Sequence, residues 1–130
     1  MDFNLQLGLS GEARETVTEN NTARKYGSGN IDVYATPAMI GLMENAALKC
    51  VDPILPEGWS TVGIEINVKH MAATPIGFTV QAKSELIEVD GRRLVFKVEA
   101  YDESKKIGEG MHQRFIVQLD KFLSKMRNKS

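Results

Sequence analysis

Thr36-Pro37-Ala38-Met39-Ile40-Gly41-Leu42-Met43-Glu44-Asn45-Ala46-Ala47-Leu48-Lys49-Cys50-Val51 is the stretch on which the fold turns. Thr36-Pro37 reads as a helix start, because a threonine hydroxyl can cap exposed amides and proline is tolerated at the first helical position. At about 100° per residue, Met39, Ile40, Leu42, Met43, Ala46, Ala47, Leu48, Cys50 and Val51 occupy most of the helix circumference. Only a sector around Gly41, Asn45 and Lys49 is left for solvent. A helix this apolar is wrapped on several sides rather than laid on a surface. One residue breaks the pattern: Glu44 falls at about 80° on the wheel, between Val51 and Leu48 and near Ile40.

Strands follow the helix. After the loop signals Asp52-Pro53 and Pro56-Glu57-Gly58, residues 61–71 alternate, placing Val62, Ile64, Ile66, Val68 and His70 on one expected face. In 79–89, Val80, Ala82 and Leu86 alternate with Gln81, Lys83 and Glu85. Asp90-Gly91 marks a tight turn into a strand with Leu94, Phe96, Val98 and Ala100 inward and Lys97 and Glu99 outward. A further turn at Asp102–Lys106 leads to a long strand, Ile107–Leu119. A short amphipathic helix through Leu119, Phe122, Leu123 and Met126 closes the chain. Upstream, residues 11–22 predict a leading strand, followed by a glycine-containing loop, Tyr26-Gly27-Ser28-Gly29-Asn30, that fits no phosphate-binding fingerprint.

One strand, one buried helix and a four-strand meander give an α+β class, an antiparallel sheet curled around a central helix. One helix cannot cover both faces of a long sheet, so packing or edge pairing with a second copy is expected. The 130 residues form a single expected domain, 1–130, and the 42% apolar and 25% charged content is that of a globular protein. A net charge of −1 gives no field favouring nucleic acid or an anionic membrane. Lys121, Lys125, Arg127 and Lys129 concentrate charge at a helix end, where they complement its dipole. The single cysteine, Cys50, precludes an intrachain disulfide and reads as a packed thiol. With no signal-peptide pattern and no apolar run of spanning length, the expected location is cytoplasmic.

Chemistry is expected where polar groups stand on apolar positions. Glu44 and His70 each occupy a place that the pattern reserves for an aliphatic side chain, a costly arrangement unless the group is paired or used. The bland alternatives are a snorkelling carboxylate and a strand-end histidine. Thr36 has a complete explanation as a cap, and His112 and Arg114, sharing a strand face with Gly108 and Gly110, read as structural or surface residues. Two histidines without clustered cysteines or carboxylates make no metal site, and no Gly-x-Ser-x-Gly elbow is present. Together, a helix N-terminus, a carboxylate two turns in and a strand-borne histidine suit acyl transfer to water.

Five segments carry a family resemblance: Val17-Thr18-Glu19-Asn20-Asn21-Thr22-Ala23; Ala35-Thr36-Pro37 with Glu44; Thr61-Val62-Gly63 with His70; Glu85–Leu94; and His112-Gln113-Arg114-Phe115. They resemble the hotdog-fold acyl-CoA thioesterases, specifically the fluoroacetyl-CoA thioesterase-like group, over nearly the whole chain. The resemblance implies a hotdog homodimer with acyl-CoA sites at the subunit interface and no cofactor beyond the CoA of the substrate. It implies catalysis by Thr36, Glu44 and His70: Thr36 orients, Glu44 attacks the carbonyl or activates water, and His70 assists proton transfer. Gly63 and Arg114 would bind substrate. One departure stands out. The loop before the helix carries Gly27 and Asn30, with Tyr26 and Tyr34 nearby, where the specialised enzymes carry bulky aromatics. A broader short-chain or branched acyl group is therefore expected. The competing readings are a non-catalytic acyl-CoA-binding hotdog protein and a hotdog hydratase or dehydratase.

Overall fold

The structure, a computed structural model, describes residues 2–129. Five antiparallel strands form one sheet in the order β1-β3-β4-β5-β2: β1 Ser10–Thr16, β2 Trp59–His70, β3 Thr79–Asp90, β4 Arg93–Tyr101 and β5 Lys106–Gln118. Helix α1 is a single turn, Ala23–Tyr26; α2 spans Thr36–Val51; α3 spans Leu119–Arg127. The expected hotdog arrangement is present, with α2 packed on the inner face of the sheet, most extensively against β1 and β3.

The helical wheel predicts the burial of α2 well. Ala38, Met39, Leu42, Met43, Ala46, Ala47, Cys50 and Val51 are buried, while Gly41, Asn45 and Lys49 are exposed. Ile40, Glu44 and Leu48 form a half-buried stripe along one edge, at i, i+4 and i+8. The opposite edge lies so close to β1 that a Cβ on Gly11 would stand 2.3 Å from the Ala46 carbonyl oxygen. Inward residues of β3 and β4 (Val80, Ala82, Leu86, Leu94, Phe96, Val98, Ala100) complete the core. The β3–β4 hairpin closes through Gly91 at φ 60°, a left-handed value that glycine adopts without penalty.

Three expectations need correction. The leading strand stops at Thr16, because Thr18 caps the single helical turn Glu19–Asn21 and Thr22 caps α1 through Lys25 N–H. The N-cap of α2 is Ala35, without a side-chain cap bond; Thr36 already lies in the first turn, so its hydroxyl is free for other work. The residues Val62 to His70 do not share a face. A bulge between Gly63 and Glu65 shifts the register, so Val62 lies opposite Phe115 while Ile66 lies opposite His112. Phe115 is exposed and His112 is buried. The extra residue in the bulge takes up one step of the pleat, leaving Ile64 exposed and turning Thr61 and Gly63 inward with Ile66, Val68 and His70. Helix α3 forms as expected, but Leu119, Leu123 and Met126 are exposed.

Candidate active site

Thr36 and His70 meet because the chain before α2 is pinned to the chain after β2. Tyr34 N–H donates to the Thr74 carbonyl at 2.9 Å, Ala35 N–H to the Asn21 carbonyl at 2.9 Å, and Met71 N–H to the Ile107 carbonyl at 2.7 Å. These bonds set the first turn of α2 against the last residue of β2. The Thr36 Oγ1 and His70 Nδ1 are 2.7 Å apart. His70 Nε2 is shut off from solvent and has no hydrogen-bond partner of normal geometry. Burial pushes the His70 pKa below the ordinary imidazole range, opposed by a backbone contact from Ala72. The pair lines a cleft of about 280 Å³ with Ser28, Val33, Tyr34 and Ala72. Behind it, the buried Tyr34 hydroxyl donates to Glu15; burial, then that bond, holds the phenol above its usual pKa.

Glu44 does not join this pair. It lies eight residues along α2 from Thr36, about 12 Å of helix axis, over Gly63 of β2. A Cβ on Gly63 would stand 3.0 Å from Glu44 Oε2, 3.3 Å from His112 Cε1 and 3.6 Å from Arg114 Nη1. Glycine at this position is what lets the carboxylate, imidazole and guanidinium converge.

Arg114 is 6% exposed and its charge is held in a network. Its Nε–H donates to Thr61 Oγ1 at 2.8 Å, Nη2–H to the Thr61 carbonyl at 3.0 Å, and Nη1 lies 3.2 Å from His112 Nε2. The Thr61 hydroxyl in turn donates to Asp52 at 2.6 Å, as does Ser60 at 2.6 Å. Burial lowers the Arg114 pKa, while the charges of Asp52 and Glu44 oppose it. His112 is 1% exposed, with Nδ1 2.8 Å from the Glu65 carbonyl at the bulge. Its pKa is lowered first by burial, opposed by the Glu65 carbonyl.

Residues 17–120 match the family model described as fluoroacetyl-CoA-specific thioesterase. The chain belongs to that family. A fluoroacetyl-CoA thioesterase from Streptantibioticus cattleyicolor is 44% identical over 99 residues, 76% of this chain and 71% of the relative. A solved fluoroacetyl-CoA thioesterase superposes with a TM-score of 0.90 at 37% identity, covering 98% of each chain. A threonine-to-serine mutant of that enzyme, in complex with acetyl-CoA, gives 0.88 at 36% identity over 97% of this chain and 99% of the other.

Within this family's frame, the residues divide plainly. Thr36 and His70 touch; Glu44, Gly63 and Arg114 gather about the middle of α2 and β2. Asp52, Thr61 and His112 were not singled out for chemistry by sequence. The usable signal for His112 was its shared register with Arg114 beside two glycines, Gly108 and Gly110. No aromatic from positions 27 or 30 covers the cleft: Gly27 and Asn30 are exposed, and Tyr26 is 52% exposed. Among the described residues no group of three His, Cys, Asp or Glu could hold a metal ion, and no helix is long and apolar enough to cross a membrane.

Proposed function

We propose that this protein is an acyl-CoA thioesterase that hydrolyses a small acyl-CoA to the free acid and CoA at sites shared between two protomers. Family membership supports the reaction class. The observation that carries the site is the hydrogen-bonded Thr36–His70 pair at the N-terminus of α2, set apart from a carboxylate over Gly63. β2 is an edge strand that a second copy can pair with. Antiparallel pairing of the two β2 strands runs the His70 end of one beside the Gly63 segment of the other. In that homodimer Glu44 faces the partner's Thr36 and the partner's His70.

Each group then has a task its position suits. The first turn of α2 presents the positive dipole end to the thioester carbonyl oxygen. Thr36, held to His70, orients the acyl group. Glu44 attacks the carbonyl carbon or takes a proton from the attacking water. The C–S bond breaks, and His70 passes a proton to the departing CoA sulfur. In the direct route it is the one Glu44 took from the attacking water. In the covalent route it is supplied by the water that then hydrolyses the acyl-Glu44 anhydride to the free acid. Gly63 and Arg114 line the reacting centre. The open approach past Gly27 and Asn30 suits short-chain or branched acyl groups beyond fluoroacetyl. The reaction calls on no cofactor, and the expected setting is the cytoplasm.

The test is thiol release across acetyl-, fluoroacetyl-, propionyl- and isobutyryl-CoA, with sedimentation to read the oligomer. The reading expects hydrolysis of at least one substrate by a dimer and near-complete loss in Glu44→Gln. Robust turnover by folded Glu44→Gln, or a fully active monomer, overturns the site assignment. A quenched single turnover read by mass spectrometry separates the two routes, since acyl mass on the Glu44 peptide marks attack by the carboxylate.

A further inference from the structure

We propose that His112 is a positioning residue, held as the neutral Nδ1–H tautomer, that aims the Arg114 guanidinium at the Glu44 carboxylate. The inference deepens the thioesterase reading and rests on it.

The hydrogen-bond chemistry leaves one arrangement. A backbone carbonyl can only accept, so the Glu65 oxygen, 2.8 Å from His112 Nδ1, requires a proton on Nδ1. An arginine can only donate, so Nη1 of Arg114, 3.2 Å from His112 Nε2, requires a lone pair there. A protonated imidazole would set a second donor against the guanidinium. The ring is also fixed sterically, with Phe96 of β4 packed at 6.2 Å between centroids and a tilt of 31°.

Arg114 is correspondingly committed. Of its five N–H groups, Nε–H and one Nη2–H bind Thr61 and one Nη1–H binds His112. Thr61 is fixed in turn by Asp52. Nη1 itself lies 3.6 Å from where a Cβ on Gly63 would be, and Glu44 Oε2 lies 3.0 Å from the same point. Thr61 holds one edge of the guanidinium through two bonds, and His112 holds Nη1, the nitrogen nearest Gly63 and Glu44. Gly63 lies directly opposite Arg114 in the sheet, which keeps that direction open. The bulge between Gly63 and Glu65 has a function here, since it presents the Glu65 carbonyl that sets the tautomer.

The experiment combines a structural and a kinetic reading on the full-length protein. Long-range ¹H–¹⁵N correlation at neutral pH is expected to show His112 protonated on Nδ1 with a free lone pair on Nε2. The Nε2–H tautomer, or an imidazolium, overturns the proposal whether or not any thioester is hydrolysed. In kinetics, His112→Asn keeps a donor near Glu65 but places nothing at Nε2; its kcat is expected to fall about tenfold or more, with KM little changed. His112→Gln returns an acceptor near Nε2 and recovers most of the loss. In an Arg114→Ala background, His112→Asn adds no further loss. Equal effects of Asn and Gln, or additive losses in the double variant, overturn it. Thermal melts of each variant identify unfolding, and the tautomer reading on wild type stands apart from that outcome. If no acyl-CoA is hydrolysed by the wild type, the thioesterase reading fails while the tautomer result remains decided.

Discussion

The two halves of the site are built in opposite ways. At the first turn of α2, Thr36 is exposed and meets His70 through one bond, and the pair lines an open cleft. At the middle of α2, the groups under Glu44 are tied together: Asp52, Thr61, Arg114, His112 and the Glu65 carbonyl form one continuous network on the inner face of the sheet. Exposure belongs where a ligand has to arrive. A connected network belongs where a buried charge must be held in one direction. The half that waits and the half that aims share a single helix but not a single neighbourhood, which is the physical reason for proposing that the complete site is shared between two copies of the chain.

The largest break in this comparison is expected from Glu44→Gln, which removes the reacting group while leaving its packing. Loss of about 10³-fold in kcat, measured by thiol release, is the expected outcome. The same substitution removes a charge that favours the buried Arg114 cation, so the melting temperature is also expected to fall. Next is His70→Ala, with about a 10²-fold loss, and no effect on the Arg114 half as read by the His112 nitrogen shifts. Mixing inactive Glu44→Gln with inactive His70→Ala protein sharpens the point. Heterodimers carrying one intact site recover up to about a quarter of wild-type activity if the sites are shared between protomers, whereas sites confined to one protomer give none.

Smaller effects separate structure from chemistry. Gly11→Ala drives a Cβ to 2.3 Å from the Ala46 carbonyl oxygen, so a loss of roughly 1–3 kcal/mol in stability is expected, read by urea melts, with kcat/KM of the remaining folded protein unchanged. pH gives the last test. Burial lowers the pKa of both His70 and His112, so the unfolded chain binds more protons than the folded one below the ordinary imidazole value of about 6.5. Stability is then complete above that value and is lost as pH falls through the window down to the depressed folded values. Melting temperatures between pH 7.5 and 5 are expected to fall less in His112→Gln than in wild type.

Much of this was legible in the sequence. The 3.6-residue pattern gave the length, burial and solvent sector of α2. The period-2 alternation gave the faces of β3 and β4, and Asp90-Gly91 gave their hairpin. Glu44 and His70 announced themselves as polar groups on apolar positions. Thr36 was misread as a cap because a hydroxyl before proline satisfies that pattern locally, and only the strand end it meets shows its partner. Val62 to His70 were read as one face because alternation alone carries no mark of a bulge.

What the sequence by itself determined is therefore local and periodic: which segments coil or extend, and which side of each is apolar, since side-chain direction repeats with backbone geometry. Tertiary structure alone decided the rest. It took the register slip between Gly63 and Glu65 to turn Thr61 and Gly63 inward. It took the sheet order to lay Arg114 across from Gly63, beneath a helix about fifty residues distant from β5 in the chain. And it took the separation of Thr36 and His70 from Glu44 to indicate that three residues at family spacing are not one cluster in one protomer. Hydrogen bonds between residues far apart in the chain leave no period to read; they exist only once the strands have found their partners.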